Sequence, residues 1–204
     1  MILTDALADR VRALLGRGGR QLLGIAGAPG AGKSTLSAEL AATFGAQCVV
    51  VPMDGFHLAQ TELERLGCAD RKGAPDTFDA AGYVALLRRL RDVRDDVVYA
   101  PEYRRDLRNG VAGAIAVPAT TPLVVTEGNY LLLDDAGFGP VRALLDEAWF
   151  VEPDDDVRLS RLVARHERFG KDPDAARAWA HGPDERNARL VAGTRGRADV
   201  VVRA

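Results

Sequence analysis

Cysteine, lysine and long apolar runs are all scarce in this chain of 204 residues. Two cysteines, Cys48 and Cys68, are too few for a disulfide framework and point to a reduced, cytoplasmic setting. No apolar run approaches the ~20 residues that a membrane span needs. The first residues alternate charge with Leu and Ala, where a signal peptide would be apolar. An excess of one charge is also missing: 27 Lys and Arg face 29 Asp and Glu, a net of −2, so no overall basic field recruits nucleic acid or a membrane. Lysine is the sharpest scarcity. Only Lys33, Lys72 and Lys171 stand among the 27 basic residues, so each is a position to account for. What is present is ordinary for a globular chain: 47% hydrophobic and 27% charged residues exclude disorder and fibrous repeats. The length allows one domain, residues 1–204.

Patterning gives the order of elements. Leu7, Val11, Leu14 and Leu15 fall at helical spacing with charges between them, which predicts an amphipathic helix over residues 4–15. An apolar patch on that helix is the candidate surface for a homodimer. The run 21–26 leads into a glycine-rich turn, 33–44 reads as a helix ending at Gly45, and β-branched 47–51 reads as a strand buried on both faces. Further on, a short helix is expected over 58–66 and a longer one over 79–92, capped by Asp79. Short strands are expected at 97–99 and 114–117, and buried strands at 123–126 and 148–151. Helices over 154–169 and 173–191, the second broken near Gly182-Pro183, precede a closing strand at 199–202. This alternation is that of a parallel α/β sheet.

Gly27-Ala28-Pro29-Gly30-Ala31-Gly32-Lys33-Ser34, followed by Thr35, fits G-x-x-x-x-G-K-[ST] between a predicted strand and a predicted helix. Glycines let successive amides point inward and form an anion nest at a helix N-terminus. Lys33 brings a flexible point charge to β- and γ-phosphates, and the Ser34 hydroxyl is small enough to join a Mg²⁺ shell. From the chain's own composition, the fixed positions would match by chance about 0.002 times. A scarce lysine falls on the one position that requires it. Two carboxylates follow predicted strands. Asp54 is placed either to accept the proton of an attacking hydroxyl or to cap the next helix. Glu127 either holds Mg²⁺ through water or is a strand-end surface acid.

Taken in order, the phosphate loop, Met53-Asp54-Gly55-Phe56-His57, Arg71-Lys72-Gly73-Ala74-Pro75-Asp76-Thr77-Phe78-Asp79 and Glu127-Gly128-Asn129-Tyr130 resemble the uridine kinase / phosphoribulokinase / bacterial pantothenate kinase family. Within it, they are most similar to the small branch of nucleoside/nucleotide kinases and proteins named as fructose transport system kinases. The likeness runs over residues 21–202. It implies a P-loop NTPase fold, a three-layer α/β/α with a mostly parallel central sheet, a helical lid over about 154–185 and a small acceptor flap over about 55–118. It implies the catalytic-base position for Asp54 and the acidic metal position for Glu127, and it brings Lys72, Asp76, Tyr103 and Arg104 to the acceptor pocket. Gly55 and His57 stand where the uridine-kinase pattern has Ser and Tyr, and Gly73–Asp79 is nearer the pantothenate-kinase form.

Arg158, Arg161, Arg165 and Arg168 share one helix face. The residues alone allow a lid over the phosphates or a solvated face paired with neighbouring acids. The resemblance places the lid here, on Arg161 and Arg165, and leaves Arg158 structural. Whether Arg168 and Lys171 meet phosphate is open. Residues 103–108 are too short and too mixed with acids for a nucleic-acid patch. His57 is expected beside the acceptor or in the pocket wall, and Trp149 and Trp179 in packing. The expected function is an ATP- and Mg²⁺-dependent kinase acting on a hydroxyl of a small metabolite, a sugar or nucleoside first. The alternatives are a pantothenate-like kinase and a regulatory ATPase without an acceptor. A GTPase is excluded because no Asn-Lys-x-Asp motif occurs.

Overall fold

Side chains along the central strands alternate between two apolar cores, one on each side of a single sheet. The computed structural model describes residues 2–204. Its strands are β1 (Gln21–Ala26), β2 (Cys48–Pro52), β3 (Val97–Arg104), β4 (Asn109–Pro118), β5 (Leu123–Gly128), β6 (Glu147–Glu152) and β7 (Val200–Arg203). Five of them form a parallel sheet in the order β2-β5-β1-β6-β7, and β3 and β4 form a separate antiparallel hairpin. Leu22, Val124 and Phe150 face one core, and Leu23, Ile25, Val125 and Trp149 the other, as the period of two in a strand requires. The first core is covered by α4 (Ala80–Asp92) through Tyr83, Leu87 and Leu90. The second is covered by α1 (Asp5–Leu15) and α2 (Lys33–Phe44) through Val11, Leu14, Leu36 and Leu40. The result is the three-layer α/β/α arrangement of a P-loop kinase.

Two expectations fail for one reason, which is that burial is set by neighbours in space. Strand β2 lies at the sheet edge, so Val49 and Val50 are only half-buried and the strand is not covered on both faces. The apolar side of α1 is used up by its own core, with Val11 and Leu14 fully buried, so no dimer patch remains there. Several helix starts follow local capping. Asp79 accepts from Gly82 N, Asp154 from Asp156 N and Val157 N, and Asp172 from Asp174 N and Ala175 N.

The sheet edge at the carboxyl ends of β1, β2 and β5 carries the functional loops. In register, Ile25 and Pro52 both lie opposite Glu127, so the three loops leave the sheet side by side. Over this edge stand α6 (Asp155–Arg168), α7 (Pro173–Trp179) and α8 (Glu185–Ala192). The break expected at Gly182-Pro183 is a π-turn, Ala180–Asp184, which absorbs a proline that has no N–H to give. The hairpin β3–β4 lies on the short turn Met53–Phe56. Gly55 permits this contact, because a Cβ there would run into the Pro101 carbonyl. Gly110 allows the same approach from the other strand, against the Gly55 carbonyl.

Candidate active site

The loop between β1 and α2 is held open by backbone geometry. Gly30 has a φ of +81°, and a Cβ there would meet Leu162 Cγ at 2.8 Å and the Arg158 carbonyl at 2.9 Å, so α6 packs directly on the loop. Lys33, 7% exposed, starts α2. Its ammonium donates to the Gly27 carbonyl (2.9 Å), the Ala28 carbonyl (3.0 Å) and Asn129 Oδ1 (2.7 Å). Gly27 and Ala28 therefore hold the lysine, while residues Pro29 to Thr35 line the cleft itself. Ser34 Oγ donates to Glu127 Oε1 at 2.8 Å.

Burial pushes the Lys33 pKa down, opposed by the charges of Glu127 and Asp54. Burial likewise pushes the Glu127 carboxyl up, and the nearby Asp54 adds to it. A buried carboxylate held above its ordinary range gains strongly from a cation beside it. The donors here are oxygen only, a hydroxyl and carboxylates, which fits a hard ion such as Mg²⁺. On that observation the residues fit the metal the fold implies, with Ser34 and Glu127 as its holders.

The loop opens into a cleft of about 920 Å³. Asp54 lies at its floor on the turn after β2. His57 closes that turn, its Nδ1 donating to the Asp54 carbonyl at 2.8 Å, since a carbonyl can only accept. Its ring sits between Phe78 (4.0 Å) and Tyr103 (4.7 Å), and burial holds its pKa below the ordinary histidine range. Lys72 donates to the Arg108 carbonyl at 2.7 Å and lies 5.6 Å over the Tyr103 ring. The Gly73 carbonyl is fixed by Tyr130 Oη (2.5 Å) and Asn187 Nδ2 (3.2 Å). From the opposite wall come Arg161, Arg165, Arg168 and Lys171, the last stacked 4.3 Å over Trp179. Arg105 on the hairpin lies 5.3 Å over the Phe169 ring, so the two walls meet.

Two expected acceptor residues are placed elsewhere. Asp76 sits on the turn Pro75–Thr77, points outward and pairs with Arg71 at 2.7 Å. Arg104 pairs with Asp106 at 3.0 Å outside the cleft, and Arg105 lines the cleft instead. The pleat explains the exchange: Tyr103 and Arg105 are two apart and share a face, while Arg104 takes the other. Arg158, 3% exposed, is tied to Asp155 and Glu185 beneath the loop. Trp149 is in the core, but Trp179 is half-buried and lines the cleft, contrary to a purely packing role. Sequence reasoning also missed Asn129, Arg108, Asp184 and Asn187. Asn129 stood inside a quoted motif and Arg108 inside an Arg-rich loop. Asp184 and Asn187 had no local signal.

A parallel sheet of this order, with a glycine-rich anion loop and acids at the adjacent strand ends, defines a P-loop phosphotransferase. The model of the phosphoribulokinase / uridine kinase family matches residues 22–203, and the chain belongs to that family. It is 35% identical over 171 residues to a candidate uridine kinase of Schizosaccharomyces pombe, covering 79% of this chain and 73% of that protein. It is 31% identical over 148 residues to a uridine kinase of Clostridium botulinum, covering 71% and 68%. A solved structure from Silicibacter sp. TM1040, described as a candidate fructose transport system kinase, superposes with a TM-score of 0.87 at 41% identity over 96% of this chain and 97% of that one. The chain is thus an ATP-dependent kinase of this family. No helix among the described residues is long and apolar enough to cross a membrane.

Proposed function

We propose that the protein transfers the γ-phosphoryl group of ATP to a hydroxyl of a small metabolite, of sugar or nucleoside type, bound between Asp54 and the β3–β4 hairpin. The observation that carries this reading is the position of Asp54. It faces Lys33, Glu127 and Arg165 across one cleft, at the carboxyl end of a strand neighbouring the nucleotide loop. The loop amides and Lys33 bind the phosphates, and Ser34 with Glu127 holds the metal. A bound Mg²⁺ supplies charge neutralisation at the phosphate oxygens. Asp54 orients the hydroxyl and takes its proton as the oxygen–phosphorus bond forms and the bond to the ADP oxygen breaks. Arg161 and Arg165 act as a lid, their guanidinium groups directed at the charge that develops on the transferred group. Water is kept from the reaction where the α6–α7 wall meets the hairpin at Phe169 and Arg105.

The reading is tested by ADP release across a panel of small alcohols. A sharp rise with one compound supports it. Release that stays flat across the panel, with ATP binding intact, replaces it with a nucleotide-dependent regulator.

A further inference from the structure

Outside the cleft, fourteen of the nineteen arginines pair with a carboxylate within 4.0 Å. Inside it, eight lysines and arginines line the walls, and among the described residues none of them makes such a pair. The three acids that share the cleft are Asp54, Glu127 and Asp184. Glu127 is engaged by Ser34, and Asp184 by His166 at 2.7 Å. A chain with balanced charge has therefore left its unpaired cations in one place.

These cations fall into groups. Arg161 lies 3.7 Å from where a Cβ on Gly32 would be, and Arg165 acts on the charge of Lys33, so these three belong to the nucleotide end. A triphosphate with its metal accounts for them. A second set, Lys72, Arg105 and Arg108, stands at the other end around Tyr103 and His57. Its construction is costly without an anion. Burial and the neighbouring Arg108 push the Lys72 pKa down, as expected of like charges gathered in a partly dry place. Arg108 adopts φ +52° at the hairpin tip, where glycine or asparagine would sit without strain. The Lys72 ammonium clamps the Arg108 carbonyl and fixes that tip. A neutral sugar or nucleoside needs none of this.

Building on the kinase reading above, we propose that the acceptor is a small alcohol that already carries a phosphate monoester, and that Lys72, Arg105 and Arg108 hold that phosphate while a distant hydroxyl meets Asp54. A phosphate dianion suits three convergent cations better than a single carboxylate does, and guanidinium groups bind it in bidentate fashion. The product is then a bisphosphate, and the reaction that supplies the substrate is itself a phosphorylation.

The test is ADP release with ribose 5-phosphate, fructose 1-phosphate and glycerol 3-phosphate. Each is run beside its unphosphorylated parent, with uridine, glycerate and gluconate as further arms. A phosphorylated compound is expected to exceed its parent at least about 100-fold in kcat/KM. Arg108→Gln is expected to raise its KM about 10- to 100-fold, the loss of one or two charge-assisted contacts, with KM for ATP unchanged. A neutral alcohol or a carboxylate used as well as any phosphate ester overturns the proposal and leaves the kinase reading intact. Flat release with every alcohol defeats the kinase reading itself. A second measurement does not depend on turnover. With a non-hydrolysable ATP analogue bound, inorganic phosphate should raise the melting temperature more than chloride at equal ionic strength, and Arg105→Gln or Arg108→Gln should remove the difference. An equal shift in wild type and both variants overturns the phosphate site.

Discussion

The two ends of the cleft are built by different means. The nucleotide end is one unbroken segment, Gly27 to Thr35, in which backbone groups do much of the work and Lys33 is tied to carbonyls of its own loop. The acceptor end is assembled from four separated pieces, around Asp54, Lys72, the hairpin tip at Arg105–Arg108 and Asn187. Its parts are joined by long-range bonds, such as Asn187 to the Gly73 carbonyl across 114 positions in sequence. A contiguous backbone site holds one ligand shape, a polyphosphate, whatever the rest of the chain does. A site made of side chains on loops can be retuned piece by piece, and there substrate identity is decided.

The largest expected effect separates binding from chemistry across this divide. Asp54→Asn should lower kcat by about 10²–10⁴ while ATP affinity holds, because the amide keeps the size but cannot take the proton. Turnover and nucleotide binding, measured on the same preparation, check this. If ATP affinity falls in step with kcat, Asp54 belongs to the nucleotide end and the division is wrong. A smaller effect is expected where the hairpin rests on the catalytic turn. Gly55→Ala forces a methyl against the Pro101 carbonyl and should cost about 1–3 kcal/mol by denaturant unfolding. The displaced hairpin should raise the KM for the acceptor and leave that for ATP unchanged. A variant of unaltered stability and acceptor KM would show that the hairpin position does not set the acceptor end.

How far each end could be read from sequence follows from the same difference. The nucleotide loop was complete in one motif, and the strand-end acids Asp54 and Glu127 followed from runs of apolar residues that stop at a carboxylate. Helix starts were legible because Thr4, Asp79 and Asp154 sit where caps are needed. Contacts between distant pieces were not. The choice of Arg105 over Arg104 depended on β3 running on to Arg104, several residues past its expected end at 99, so that the pleat and not proximity to Tyr103 set the face. Asp76 was misplaced because its role was carried by a resemblance, whereas the short turn Pro75–Thr77 sends it to Arg71. The edge position of β2 is a property of strand order, which composition does not encode. Trp179 reached the cleft through a π-turn that Pro183 announced only as a break.

The smallest effect expected is one of sign, because the two ends should respond to acid in opposite directions. His57 is held below its ordinary pKa by burial, with Asp54 opposing and Lys72 and Arg105 assisting. In the unfolded chain it takes up a proton near pH ~6.5. As pH falls through that value, the unfolded state binds the proton first and stability declines, until the lower folded pKa is passed. Glu127 runs the other way. Its folded pKa is raised above the unfolded value, so its contribution is present at low pH and is lost as pH rises through the folded pKa. Thermal unfolding of wild type and His57→Gln between about pH 5 and pH 7.5 isolates the histidine part as the difference between the two slopes. Wild type should lose more stability on acidification than the variant. Parallel slopes would mean that His57 is solvated when folded, and the ring sandwich with Phe78 and Tyr103 would then not be a fixed wall of the acceptor end.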